Sequence, residues 1–398
     1  MKNFLLVTLC LLAGWANAAQ VIRGPYLENP TPTSMTLRWQ TSAPTVSWLE
    51  YGPVPRCNQI MTVTPAAYNH KAVLYGLVPN QDYCYHLYVS NAARDGVQEP
   101  VNGTFRTLFS AERKVVSFLA LGNTGSPLEL NAAEDTSAQA RQALGYLMNG
   151  EQADFVLHTG NLTFSGLNAD ADKELFKPFE EVFKKMPLIA ALGPQEYGPD
   201  RQDRESKSFL YSNYSRYHDM PWSNATPKYF YFDTANARFI VLDTNLVEGA
   251  VWAPEINEES AQTKWLKTTL SSAADKWKIV IMNAPAYSSG IKGSRPEIAD
   301  AWVKIFEMYR VHLVLQGGDN NYERTFPLRN GESHPRGVTY VTLGTAAALP
   351  TKRATSSPYT ARFVAARHYA LVKIVDRKLT FTVYSDSGKQ LDKFEIYL

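Results

Sequence analysis

The pattern that most narrows the fold of this chain lies at residues 311–327. An apolar, β-branched run from Val311 to Leu315 stops at Gly317-Gly318. A polar knot, Asp319-Asn320-Asn321-Tyr322-Glu323-Arg324, follows before Pro327 turns the chain away. Such a run reads as a strand buried on both faces, and in α/β sheets ligands gather where strands of this kind end. The same succession occurs four more times. Phe118 to Leu121 runs into Gly122-Asn123-Thr124-Gly125, and Phe155 to His158 into Thr159-Gly160-Asn161-Leu162-Thr163-Phe164. Leu188 to Leu192 runs into Gly193-Pro194-Gln195-Glu196-Tyr197, and Ile279 to Met282 into Asn283-Ala284-Pro285-Ala286-Tyr287-Ser288-Ser289. Five strand ends are expected to converge on one site.

Between these runs, Asn131 to Asn149, Ala171 to Lys185, Glu259 to Ser272 and Glu297 to Arg310 carry apolar residues three or four apart, the spacing of helices. Residues 20–109 differ. Short alternating segments there (Ser34 to Trp39, Thr45 to Tyr51, Lys71 to Tyr75) are separated by Pro, Gly and Asn, as in a β-sandwich. The expected organisation is a leader at 1–18, a sandwich at 19–109 and an α/β unit at 110–398, with the boundary inside 106–115. The tail from Tyr369 to Leu398 reads as a hairpin turning at Asp386-Ser387-Gly388.

The leader has a positive start at Lys2, an apolar run from Phe4 to Leu12 and a small-residue cleavage site, Ala16-Asn17-Ala18. Secretion or a periplasmic location is expected, with no transmembrane segment, because that run is too short to span a bilayer. Cleavage removes Lys2 and leaves 39 basic and 38 acidic residues. A balance so close to neutral gives no electrostatic reason to expect nucleic acid as a partner. Cys57 and Cys84 remain, and export makes a disulfide between them an alternative to two free buried thiols.

The five polar knots, in their order and spacing, resemble the motifs of purple acid phosphatases, a branch of the metallophosphoesterases. Pro285-Ala286-Tyr287-Ser288-Ser289 and Tyr322-Glu323-Arg324 match that frame closely. The resemblance implies a four-layer α/β sandwich. It also implies, before that unit, an all-β domain like fibronectin type III, whose late-strand tyrosine Leu77 to Tyr85 resembles. Family members hold a dinuclear Fe, Zn or Mn centre. Here the seven ligand positions carry Asn123, Asn161, Phe164, Pro194, Asn283, Gly318 and Asn320, and the acid–base position carries Gln195. None keeps its family residue.

The expected chemistry follows from that loss. Two adjacent cations need anionic ligands, and carboxamides supply none. Asp319, Glu196 and Glu323 are the nearby acids, and Glu323 reads as a structural ion pair or supporting contact. His158, His312 and His368 read as packed core histidines. Ser288 and Ser289 have no nucleophile elbow around them. Asn-x-Ser/Thr acceptors stand at Asn102, Asn161, Asn213 and Asn224. The expectation is a pseudoenzyme without a metal cofactor that binds a polar small molecule or a cell-surface or protein partner. Asn123, Asn161, Gln195, Asn283, Asp319 and Asn320 are the expected pocket. An active phosphoester hydrolase with an altered metal site is the alternative.

Overall fold

The computed structural model describes residues 19–91, 99–125, 136–203 and 228–398. The leader, Asn213, Asn224 and the start of the helix expected from Asn131 lie outside them. Five strands form the first unit: β1 (Val21–Glu28), β2 (Ser34–Pro53), β3 (Gln59–Tyr75), β4 (Asp82–Asn91) and β5 (Val101–Arg106). The segments expected separately at 34–39 and 45–51 are halves of the one strand β2. Its first half pairs with β1 and its second with β4, while β3 follows it along the other edge. The β2–β3 register slips between Gln40 and Ser47. There the ribbon turns from one layer to the other, and a sandwich closes around Leu27, Trp39, Leu49, Leu74, Tyr85 and Phe105. The Tyr83 hydroxyl accepts the backbone N–H of Val78 at 2.8 Å, a tyrosine corner. Cys57 and Cys84 are bonded, with Cα atoms 5.7 Å apart.

The second unit comprises β6 (Val115–Leu121), β7 (Phe155–His158), β8 (Leu188–Ala190), β9 (Phe230–Thr234), β10 (Ala237–Val241), β11 (Trp277–Ile281), β12 (Leu313–Gln316) and β13 (Tyr322–Thr325), then β14 (Leu328–Arg329), β15 (Glu332–Ser333), β16 (Thr339–Leu343), β17 (Thr360–Val364), β18 (His368–Val375), β19 (Lys378–Ser385) and β20 (Gln390–Tyr397). Two sheets result. One runs β20-β19-β18-β6-β7-β8 and continues through β1 into the sandwich; the other runs β17-β13-β16-β12-β11-β10-β9. Phe118, Phe155, Phe239, Ile281, Leu315 and Leu343 fill the space between them. Burying side chains of this kind stabilises the fold by roughly 1.5–3 kcal/mol each. The helix Thr136–Asn149 and the turns near 168–183 cover the outer face of the first sheet through Leu144, Phe176 and Phe183. Ala261–Ser271 and Lys304–Met308 cover the second through Leu266, Leu270 and Phe306. The order is helix, sheet, sheet, helix: a four-layer sandwich.

Three expectations change in detail. The helix expected over 171–185 is a chain of short pieces, Asn168–Ala171, the π-turn Asp172–Phe176 and Glu180–Phe183. Pro178 lacks an N–H and crowds the preceding turn, so one regular helix cannot run through it. The helix expected over 297–310 contains a π segment, Ala299–Val303, and ends where Arg310 takes φ 54°. The tail is a three-stranded meander, since β18 joins β19 through a second turn at Asp376, φ 52°.

Candidate functional site

In the first sheet β6, β7 and β8 are parallel, and in the second so are β10, β11, β12 and β16. Their carboxyl ends meet along one edge of the molecule. Contact there is close. A Cβ on Gly122 would stand 2.0 Å from Thr159 Oγ1 and 2.2 Å from the Leu343 carbonyl oxygen, so only glycine fits. One residue beyond each strand turn, Asn123 and Asn161 take φ 50° and 57°. Asparagine tolerates this left-handed region better than most side chains.

The carboxamides meet one another and the neighbouring backbone. Asn123 Nδ2 donates to Asn320 Oδ1 at 2.8 Å, joining the ends of β6 and β12. Asn283 Nδ2 donates to the Thr159 carbonyl at 2.7 Å. Asn161 Oδ1 accepts the Gln195 backbone N–H at 3.3 Å. Asn123 and Asn161 are each 6% exposed and Asn283 1%, while Asn320 and the Gln195 side chain are half-buried. Five of the six expected pocket residues therefore lie along one edge, where their amide groups bond to one another and to backbone, while Asn123 Oδ1 is buried without a hydrogen-bond partner.

Asp319 departs from that expectation. Its carboxylate turns into the loop after β11 and accepts the Ser288 hydroxyl at 2.6 Å and the Lys292 and Gly293 N–H groups at 2.7 and 3.0 Å. The loop needs an acceptor there, and the side chain is buried beneath it. Glu323 is similarly engaged by Ser289 N–H, Ser289 Oγ and Thr360 Oγ1. It supports that loop through hydrogen bonds; the ion pair of the Tyr-Glu-Arg run belongs to Arg324, which meets Asp392 at 2.7 Å. Ser288 and Ser289 thus donate to buried carboxylates that also hold the backbone N–H groups of the loop.

Glu196, wholly buried, accepts the N–H groups of Asn161 and Leu162 at 2.9 Å and of Gly193 at 2.7 Å. Burial outweighs those donors and pushes its carboxyl up to about 7. Glu174 accepts the Phe164 N–H at 2.6 Å and faces buried Arg141 at 3.5 Å; Arg141 Nε reaches the Thr124 carbonyl at 2.7 Å. His158 is satisfied on both ring nitrogens, by Thr124 Oγ1 and the Gly160 N–H, each at 3.1 Å.

A sixth strand end escaped the sequence analysis. β10 runs into Leu242-Asp243-Thr244-Asn245 without a glycine to mark the stop. Buried Asp243, whose pKa burial raises, accepts the Tyr197 hydroxyl, and Asn245 Nδ2 donates to the Leu192 carbonyl at 2.9 Å. The apolar run Phe239 to Leu242 ahead of a polar triplet was the available signal.

The dinuclear centre that the resemblance implies does not fit these residues. Pro194 opens the helical turn Pro194–Tyr197 and offers no donor, Gly318 has no side chain, and Phe164 is 45% exposed. An asparagine can offer a metal only its neutral Oδ1; that of Asn123 is buried without a hydrogen-bond partner, but it brings no charge to offset a cation pair. Among the described residues no three His, Cys, Asp or Glu side chains are grouped to hold a metal ion.

Residues 120–321, half of the chain, match the model of the calcineurin-like phosphoesterase domain. The chain is 26% identical over 290 residues to the uncharacterized protein Rv2577 of Mycobacterium tuberculosis, covering 67% of this chain and 52% of that one. It thus spans about half the length of that relative. Human acid phosphatase type 7 is 24% identical over 367 residues, covering 79% of this chain and 75% of the relative. Among solved structures, purple acid phosphatase PPD1 of yellow lupin superposes with a TM-score of 0.74 at 17% identity, over 94% of this chain and 74% of that one. GAP50 of Plasmodium gives 0.55 at 17% identity, over 72% and 90%. Sandwich, paired sheets and strand-end motifs thus lead to one assignment: this chain belongs to the calcineurin-like phosphoesterase family and is a purple acid phosphatase homologue.

Proposed function

We propose that this protein is an exported, metal-free member of its family that acts by binding and not by phosphoester hydrolysis. The 2.8 Å hydrogen bond from Asn123 to Asn320 carries this reading. Two positions that would face a cation between the sheets bond directly to each other, and neither brings charge. Without a metal, the attacking water keeps a pKa near ~15.7 in place of about 7, so almost no hydroxide forms at neutral pH. Gln195 adds a second deficit, since an amide cannot protonate a leaving alkoxide.

With its amide groups bonded to one another and to backbone, this edge favours a cell-surface or protein partner at the exterior over a small polar ligand seated on the strand ends. GAP50, the anchor in the inner membrane complex of Plasmodium, has this fold. Relatives named acid phosphatases support the hydrolase alternative by descent, but a dinuclear centre would need anionic or imidazole ligands where this chain carries Asn123, Asn161, Asn283 and Asn320. Export rests on the Lys2, Phe4 to Leu12 and Ala16-Asn17-Ala18 pattern and on the bonded cysteines. No described helix is long and apolar enough to cross a membrane.

A chromogenic phosphomonoester assay from acid to neutral pH tests the proposal. Wild type, Asn123→Ala and Asn161→Ala are expected to be indistinguishable from the uncatalysed background. Turnover in the wild type that disappears in either variant would overturn it.

A further inference from the structure

We propose that the hydrogen bonds between the two sheets at this edge have taken over the clamping that a metal pair would supply; the inference rests on the metal-free reading above. In a dinuclear centre, ligands from the ends of β6, β7 and β8 would share cations with ligands from β11 and β12, and the sheets would be tied through the ions. Protein atoms make those ties here. Asn123 Nδ2 crosses to Asn320, Asn283 Nδ2 crosses to the Thr159 carbonyl, and Thr159 Oγ1 crosses to the Leu343 carbonyl at 3.0 Å. The backbone N–H groups of Ala346 and Ala347 reach the Gly122 and Asn123 carbonyls at 2.7 and 3.1 Å. Asn245 repeats the device at the end of β10.

The carboxamides suit the task. Each supplies a donor and an acceptor without charge, so it can be buried beside backbone carbonyls that would repel a carboxylate. A carboxylate at 123 would set its oxygens against Asn320 Oδ1, and one at 283 would face the Thr159 carbonyl. Asparagine in these places is therefore a structural part, through the bonds it makes across the sheets. The half-buried Gln195 side chain, on the same edge, makes no hydrogen bond among the described residues and belongs to no such tie.

Thermal unfolding and amide hydrogen exchange of the full chain test this. Asn123→Ala and Asn283→Ala are expected to lower the Tm by several degrees. They should also speed exchange near 159–161 and 320–322, whereas Gln195→Ala leaves both unchanged. EDTA or added zinc should shift none of them. Alanine variants no less stable than Gln195→Ala would overturn the clamp while leaving the metal-free reading intact. A wild-type Tm that falls in EDTA, with metal in the same preparation, would overturn both. Where a variant does not fold, wild-type urea midpoints with and without EDTA decide: equal midpoints support the clamp, and a lower one in EDTA contradicts it.

Discussion

Asn123 and Asn161 sit in the left-handed region just beyond the ends of β6 and β7. Asparagine and aspartate have nearly the same shape, so the exchange removes charge and leaves the backbone where it was. Returning one charge should not return the metal. Asn123→Asp would bury a carboxylate against Asn320 Oδ1 with no cation near it, a change that costs about 1–3 kcal/mol or more. Its urea midpoint is expected to fall and to stay insensitive to zinc; a midpoint that rises with zinc would contradict this. Titration adds a second test at this scale. Burial holds His312 and His368 at about 4, below the usual 6.5. Between those values the unfolded chain binds protons that the folded chain does not, so stability falls as pH drops through that window. Glu196 acts the other way. With its pKa near 7, the folded chain keeps a proton that the unfolded chain loses above 4.5, so this contribution fades as pH rises from 4.5 towards 7. His368→Leu is expected to make the acid limb of a stability–pH profile shallower than in wild type; parallel limbs would contradict it. His158 and His312 were legible as packed because they lie on apolar strand runs, and His368 because it begins one. The direction of Asp319 was not, because it depends on N–H groups from a loop that returns 26–27 residues away in the chain.

At the scale of elements, buried carboxylates hold the strand-end loops, and two of them differ in a testable way. Glu323 meets one N–H and two hydroxyls, which can rotate to accept from an amide. Glu196 meets three backbone N–H groups that can only donate. Glu323→Gln is therefore expected to cost under about 1 kcal/mol, and Glu196→Gln about 1–3 kcal/mol, through an unsatisfied donor pair. Denaturant unfolding reads both, and equal losses would contradict the assignment. Most strands were legible because a buried parallel strand is a short apolar run with a hard stop. The end of β10 was missed because Asp243 follows Leu242 without a glycine. The break at Pro178 was missed because the apolar spacing continues across it while the backbone cannot.

Across the whole molecule, the first sheet runs from the α/β unit through β8 and β1 into the sandwich. Arg23 pairs with Asp172 at 2.6 Å, and the Tyr85 hydroxyl donates to the Lys184 carbonyl at 2.8 Å. Between the units, Leu108 and Phe109 are buried, whereas 111–114 are exposed. We propose the unit boundary there, within 106–115. Trypsin is expected to cut after Arg113 or Lys114 while the two fragments still co-elute; resistance at those sites until global unfolding would contradict it. The layered architecture was implied by the resemblance of the motif frame and not by periodicity, which gave only the alternation of strands and helices. The shared sheet was not, because no local pattern signals that β1 will pair with β8. The central claim is that this edge keeps the family's frame without its metals. Its most direct test is the Fe, Zn, Mn and Ca content per chain of protein purified without chelators. Content far below one ion per chain is predicted, and one or two bound transition-metal ions per chain would contradict the account.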